Sequence, residues 1–400
     1  MPTALPPLPE LLAELVRRPS VNPMGRTDLP AEILYEHRVT DYVASLLQGL
    51  ECSMYRQPVQ TGRENLLACY EPPGPVPCHL LFEVHQDTVP VDGMTIEPFA
   101  AHRQGNRLYG RGACDVKAGL AVMITAFVRL VRERPRGSAR VTLACTVDEE
   151  HSFLGVQALV RQGFPQGRPQ AAIVAEPTRL NIVHAHKGVV RWTLETSGRA
   201  CHSSRPEQGV NAIYRMARIL HALEQYAEHL RQLPADPLLG PRTLAVGRIQ
   251  GGVSPNTIPD ACRIDIDRRL LPGETAATAE AELLDMLRQA PGIDFPFTLR
   301  LSHAPCPPLS PQGSAPLVHH FGRVIDSVVG QHTVQAVPFG TDAATLALAG
   351  IPAIVFGPGD IAQAHTHDEW IDLDQLAPAA EILYRFAATA EPLDSQLGRS

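Results

Sequence analysis

The chain has 400 residues, 44% of them apolar and 19% charged, with a formal net charge of −7. That balance predicts a water-soluble globular protein and offers no general basic field for nucleic acid or an anionic membrane, so a small polar substrate suits it better. The length exceeds what one ordinary core accommodates and predicts two domains.

The opening stretch, MPTALPPLPELLAELVRRPSVNP, lacks a basic leading region and a long apolar core, and its prolines interrupt any continuous span. Neither a signal peptide nor a transmembrane helix is expected there, which points to a cytoplasmic protein. Eight cysteines are scattered singly without a CxxC, the usage of reduced thiols.

Apolar residues recur at helical spacing from Leu8 to Arg18, Pro19 closes that segment, and Asp41 to Leu50 reads as the end of a second helix. Three short apolar runs follow as buried strands: Cys78 to Val84, Arg140 to Val147 and Ala171 to Ala175, each running straight into ionisable residues. Between the first two, Gly119 to Arg134 has a helical pattern with a basic last turn. The expectation is an α/β domain wound around a largely parallel sheet.

Near Lys187 the pattern changes. Val189–Thr196 reads as a strand, Asn211–Leu230 as a helix, Arg242–Ile249 and Ala261–Leu270 as strands, Ala276–Gln289 as a helix and Phe295–Leu301 as a strand. That βαββαβ order is the ferredoxin-like α+β unit and reads as an insertion. The α/β pattern resumes at Leu317, and Ile351–Phe356 is again a buried strand. The first domain is therefore expected to be discontinuous, residues 1–187 and 303–400, with the insertion at 188–302.

Five possible metal ligands stand after these apolar runs or in adjoining loops: His85 in VHQD, Asp115 in GRGACDVKAG, Glu150 in DEE, Glu176 in AEPT and His365 in AHTHDE. Two imidazoles and three carboxylates exceed the three or four protein ligands of one catalytic zinc, so a pair of metals sharing a carboxylate is the economical reading, and it points to hydrolysis. Asp87, two residues from His85, can face the same side of a strand end and hold the imidazole. Glu149 and Glu150 diverge, so one can bind metal while the other faces the attacking water. Taken singly, Asp115 could equally cap the helix starting near Lys117, Glu176 could mark a turn with Pro177, and His365 could be a satisfied polar residue beside His367. Cys114 is expected to be structural. No GxGxxG and no GxSxG occurs, so dinucleotide binding and serine hydrolysis lack their usual support.

Further motifs surround these: PSVNP at Pro19, HKG at His186, GRACHSSRPEQGVNAI from Gly198, then GGVSPNTIPD, DRRLLPGE, FGTDAA and GPGDIAQAHTHDE. In this order the series resembles the co-catalytic zinc hydrolase family that contains acetylornithine deacetylase, succinyl-diaminopimelate desuccinylase, aminoacylases and carboxypeptidase G. The resemblance spans almost the whole chain. It implies a zinc-hydrolase catalytic domain with an inserted ferredoxin-like lid and dimerisation domain, and two Zn2+ per chain, with Co2+ or Mn2+ as substitutes. Asp115 would bridge the metals, His85 and Glu176 would complete one site, and Glu150 and His365 the other. Glu149 would be the general base, moving a proton from the attacking water to the leaving amine. His202 would stabilise the oxyanion, reaching into the partner subunit's site of a homodimer. Asn256 and Arg269 would hold the substrate, the Arg suited to a carboxylate, while Gly340, Thr341, Asp342 and Gly359 line the substrate side.

Within the family, the HKG, CHSSRPEQGVNAI and GPGDIAQAHTHDE runs look closer to the acetylornithine deacetylase branch. The implied reaction is removal of the acyl group from an N-acyl amino acid, N-acetylornithine giving ornithine and acetate, a step in arginine biosynthesis. The alternatives are a succinyl-diaminopimelate desuccinylase, a broader aminoacylase or a dipeptidase and, from another class, a catalytically silent binding protein on the same fold.

Overall fold

The apolar runs of the sequence form the centre of an eight-stranded mixed sheet in the computed structural model, which describes residues 5–392. Across the sheet the strands are Ser53–Gln60, Arg63–Tyr70, Arg140–Thr146, His79–His85, Ala171–Val174, Ala353–Val355, Ile182–His186 and Val334–Val337. The four from Arg140–Thr146 to Ala353–Val355 pair in parallel, whereas Ser53–Gln60, Arg63–Tyr70 and Ile182–His186 pair antiparallel at the flanks. His79–His85, HLLFEVH, is buried along its whole length, as a strand with parallel neighbours on both sides and layers on both faces must be.

One large core joins this sheet to the helices Leu8–Val16, His37–Leu47, Lys117–Glu133, Ala315–Val329 and Leu376–Ala388, through residues such as Leu15, Val43, Phe127, Phe321 and Phe386. A Cβ on Gly119 would lie 2.8 Å from the Ala175 side chain. Only glycine therefore lets the Lys117–Glu133 helix approach the sheet so closely, and that approach brings the loop bearing Asp115 over the strand end that precedes Glu176.

Several boundaries differ from the sequence reading. The first helix stops at Val16, the second spans His37–Leu47, and the third ends at Glu133 after starting at Lys117. The two strands Ser53–Gln60 and Arg63–Tyr70 were not anticipated. The first is a mostly exposed edge strand whose register shifts near Pro58, so it carries no apolar run to read.

A small sheet of His102–Gln104, Arg107–Tyr109 and Trp370–Asp372 ties the loop before Asp115 to the segment after His365, with Tyr109 opposite Trp370.

By contact density the chain divides into two compact units. The first runs through His184 and includes Ser310–Gln335 and the residues from Thr341 onward; the second is Ala185–Leu309 with Ala336–Gly340. In the second, four antiparallel strands lie in the order Thr243–Gly251, Ala261–Leu270, Gly188–Ser197, Phe297–Leu301. With the helices Ala212–Gln232 and Ala276–Gln289 this is the βαββαβ arrangement expected for a ferredoxin-like domain. Burial alternates along Ala261–Leu270, and its inward residues Ile264 and Ile266 share a core with Trp192, Ile219, Leu223 and Leu283. Beyond the last strand, Cys306 pairs with Val189 and Leu309 with His186, which carries the unit on to Leu309.

Candidate metal centre

The carboxyl ends of the four parallel strands open into one crevice, the place where open α/β sheets put their chemistry. His85 is the last residue of its strand; Arg140–Thr146 leads into Asp148–Glu150, Ala171–Val174 into Glu176, and Ala353–Val355 into the loop carrying His365. Asp115 enters from the loop ahead of the Lys117–Glu133 helix. Its two oxygens face two different histidines: Oδ1 lies 3.3 Å from His85 Nε2 and Oδ2 lies 3.3 Å from His365 Nε2. Glu176 stands 3.7 Å from His85 Nε2, and Glu150 stands 3.2 Å from His365 Nε2. Two clusters of donor atoms result, His85–Glu149–Glu176 and Asp115–Glu150–His365, each with its atoms within 4.8 Å of one another.

Crowding of buried charge dominates the electrostatics. Burial pushes the carboxyls of Glu149, Glu150 and Glu176 above their ordinary range, and the neighbouring carboxylates push them further. Burial would lower His365, but Asp115 and Glu150 outweigh it and hold the imidazole up at about 11. His85 is likewise raised against its burial by Asp115 and Asp87. Asp115 is held low, burial notwithstanding, by the two imidazoles. Two histidines cannot balance this many carboxylates in a water-poor crevice, and His85 Nε2 and Asp115 Oδ1 are buried without a hydrogen-bond partner. On the other side of its ring, His85 Nδ1 lies 3.0 Å from the main-chain oxygen of Asp87. A proton on Nδ1 leaves the Nε2 lone pair aimed into the cluster, the orientation that metal-bound imidazoles adopt. The nitrogen and oxygen donor set fits divalent metal ions.

Beneath the cluster lies a polar chain of which sequence reasoning singled out Asp87, expected to hold the His85 imidazole; its main-chain oxygen faces that ring, and its carboxylate is engaged elsewhere. Asp87 accepts the main-chain N–H groups of both Glu149 and Glu150, at 3.2 Å each, and the Asn22 amide at 2.8 Å. Asn22 also donates to Asp148 at 2.9 Å. Arg63, buried in its strand, donates to Asp148 at 2.7 Å and engages Glu36 with both Nε and Nη2. Asp148 adopts a left-handed φ of 67°, and the turn presenting Glu149 and Glu150 is held by the side chains of Asn22, Glu36, Arg63 and Asp87. Glu83, two residues before His85 on the same strand face, is the other omission. It accepts the Thr146 hydroxyl at 2.5 Å, and burial drives both it and Asp342 toward the protonated state. A glutamate inside the apolar run HLLFEVH was the readable signal.

Of the residues expected on the substrate side, Thr341 and Asp342 are buried in the first unit. Gly359, with φ 96°, packs where a Cβ would meet Cys114 Sγ at 2.7 Å. His202, Asn256, Arg269 and Gly340 belong to the second unit. There His202 is exposed, and its Nδ1 accepts the main-chain N–H of Ser204 at 3.2 Å and lies 2.8 Å from the Ser204 hydroxyl. Asn256 offers its main-chain oxygen to Ser203 at 3.0 Å. Arg269 is engaged by Asp267 through Nε, at 2.7 Å, and Nη2. A Cβ on Gly340 would meet Cys306 Sγ at 2.7 Å.

The profile of Peptidase family M20/M25/M40 matches residues 81–389, a span that includes every member of both donor clusters. The chain belongs to this family. It is 33% identical to the acetylornithine deacetylase of Myxococcus xanthus over 97% of its own length and 98% of that protein's. Among solved structures it resembles the M20 family metallo-carboxypeptidase Sso-CP2 from Sulfolobus solfataricus, with a TM-score of 0.76, 19% identity, and 96% and 99% of the two chains covered. It also resembles the YXEP protein of Bacillus subtilis, described as a dinuclear metal binding peptidase from the M20 family, with a TM-score of 0.64, 18% identity, and 96% and 97% covered. As an M20 protein the chain is a hydrolase of the metallopeptidase type, and among the described residues no helix is long and apolar enough to cross a membrane.

The polar chain under the M20 crevice makes Arg63 a sensitive position. Arg63→Met leaves Glu36 and Asp148 buried without their cation and is expected to cost about 3–5 kcal/mol, read by urea unfolding. A loss under about 1 kcal/mol would mean that the two acids relax at no expense.

Proposed function

We propose that this M20 chain is a dinuclear amidohydrolase that deacylates N-acyl amino acids, with N-acetylornithine its preferred substrate, giving ornithine and acetate. The observation that carries the reading is Asp115, whose oxygens face one histidine each at 3.3 Å. The near full-length similarity to an acetylornithine deacetylase supports the choice of substrate. Two zinc ions, or cobalt or manganese in their place, held by His85, Asp115 and Glu176 and by Asp115, Glu150 and His365, would polarise the acyl carbonyl and acidify water.

The remaining work falls to the chain's own groups. Glu149 takes the proton of the attacking water and returns it to the leaving amine. Asp87, gripping the Glu149 and Glu150 main chain, keeps base and ligand in register. His202 donates to the tetrahedral oxyanion. Asp267 occupies Nε of Arg269 and leaves Nη1 to meet the substrate's α-carboxylate, while Asn256, Gly340, Thr341, Asp342 and Gly359 shape the substrate side.

We place this chemistry in a cytoplasmic homodimer serving arginine biosynthesis, in which the inserted domain, residues 188–302, acts as lid and dimerisation domain on a catalytic domain formed by residues 1–187 and 303–400. The second unit exposes Tyr214 (69%), Ile249 (54%) and Val253 (92%), apolar surface that a symmetric twin would cover. His202 then serves the partner subunit's site.

Amine release measured across acetyl, succinyl and peptidyl substrates tests the assignment, and N-acetylornithine is expected to exceed N-succinyl-diaminopimelate. Preference for the succinyl compound, for other acyl amino acids or for an unacylated dipeptide would move the chain to the desuccinylase, aminoacylase or dipeptidase reading. No turnover of any amide by the metal-loaded protein would leave a silent binding protein.

Glu149→Gln is expected to keep its metal and lose about 10²- to 10⁴-fold in turnover. Metal content measured on the same sample decides between base and ligand, because Glu149 also stands in the His85–Glu176 donor cluster.

Mixing His202→Ala with Glu149→Gln subunits under exchange tests action across the interface. Half of randomly paired dimers are mixed and half of their sites are complete, so activity is expected to recover to about a quarter of wild type. No recovery despite proven exchange would confine His202 to its own chain's site or remove it from catalysis.

A further inference from the structure

Glu369 belongs to neither donor cluster, yet it is completely buried four residues beyond His365. Its carboxylate is saturated with donors. Oε1 accepts the main-chain N–H of Cys114 at 2.8 Å and of Asp115 at 3.0 Å, while Oε2 accepts the main-chain N–H of Gly112 at 2.9 Å and Nη1 of Arg111 at 2.8 Å. Its own main-chain oxygen accepts the N–H of Gly110 at 2.9 Å. One residue thus grips the loop from Gly110 to Asp115, and Arg111, itself 3% exposed, balances its charge.

We propose that Glu369 is a positioning residue that aims the Asp115 carboxylate at both metal sites. Asp115 has a short side chain with two torsions, so the direction of its main chain largely decides where its oxygens point. The N–H that Glu369 fixes is Asp115's own. Because Glu369 is continuous with His365 on one side and with the Trp370–Asp372 strand on the other, where Trp370 lies opposite Tyr109, the same clasp sets the Asp115 loop against the His365 loop. Asp115 Oδ2 and His365 Nε2 meet at 3.3 Å across that junction. All four partners of the Glu369 carboxylate are donors, so only a carboxylate satisfies them; a glutamine would turn its own N–H groups toward two of them.

The inference rests on the reading that Asp115 is shared by two metals, and the test separates the two. Zinc is titrated calorimetrically into apoprotein of the wild type, Asp115→Ala, Glu369→Gln and Glu369→Asp, with the apoprotein melting temperature of each recorded and the visible spectrum of each cobalt-loaded form. Wild type is expected to take two ions and Asp115→Ala to be weakened at both. Glu369→Gln is expected to bind both ions about 10- to 100-fold more weakly, as the loss of a group orienting a ligand does, with an altered cobalt spectrum. If Glu369→Gln does not fold, Glu369→Asp, which keeps the charge but withdraws it by one methylene, is expected to show the same weakening. A variant that melts earlier as apoprotein yet binds zinc with wild-type affinity and an unchanged cobalt spectrum would overturn the proposal and leave Glu369 a loop anchor. Fewer than two ions in wild type, or wild-type affinity in Asp115→Ala, would instead overturn the shared-carboxylate reading.

Discussion

Uncompensated negative charge at the carboxyl edge of a parallel sheet is the constraint on which the first unit depends. Asp115, Glu149, Glu150 and Glu176 converge around His85 and His365, while Asp87, Asp148, Glu36, Glu83 and Asp342 lie buried behind them. An isolated buried carboxylate costs several kcal/mol, and the cost rises as like charges approach. The structure meets it in three ways. Arg63 neutralises the acids at the back through ion pairs with Glu36 and Asp148. Burial drives Glu83 and Asp342 toward their neutral, protonated forms. Asp87 and Glu369 are satisfied by main-chain N–H donors, two for Asp87 and three for Glu369. The front cluster sets only two imidazoles against its four carboxylates, which makes it the place for cations.

The supports therefore divide by chemistry. His85 and Asp115 keep atoms that face the crevice without a hydrogen-bond partner, while Asp87 and Glu369 have both carboxylate oxygens engaged. His85 illustrates the division within one ring, with Nδ1 against the Asp87 carbonyl and Nε2 left without a partner. Asp115 illustrates it within one residue, its N–H held by Glu369 and its carboxylate open toward two histidines. A bridging carboxylate needs both halves of this arrangement, because a ligand that must face two sites at once has little angular freedom to spare.

What the sequence made legible follows the same division. The convergence of His85, Asp115, Glu150, Glu176 and His365 could be read because each follows a recognisable apolar run or a glycine-rich loop, and few residue types offer such donor atoms. The inserted βαββαβ unit could be read because Ala261–Leu270 alternates cleanly and Ala276–Gln289 has helical spacing. Arg63, Glu36 and Asn22 could not, since their partners lie 27 to 126 residues away and nothing local distinguishes a buried Arg or Glu from a surface one. Glu369 is hidden differently: it stands in HTHDE among other ionisable residues, and only its four donors distinguish it from them. The Ser53–Gln60 strand escaped because an exposed edge needs no apolar pattern.

Thr341, Asp342 and Gly359 share the first unit with the donor clusters, whereas His202, Asn256, Arg269 and Gly340 belong to the second. The donor clusters lie entirely in the first unit, where ligand type, spacing and burial constrain one another. Arg269, Asn256 and His202 lie in the second, where the residue types serve many purposes; Arg269 already has a partner in Asp267, and His202 is exposed. A carboxylate-binding arginine and an oxyanion-donating histidine suit an acyl amino acid, a dipeptide or a longer acyl chain alike, since each presents an α-carboxylate and a scissile amide. Discrimination among them must come from the groups that meet the acyl and amino-acid side chains. Those groups contact what varies between substrates, whereas the metal ligands serve the amide that all of them share, so membership of the M20 family constrains the reaction more tightly than the molecule on which it is performed.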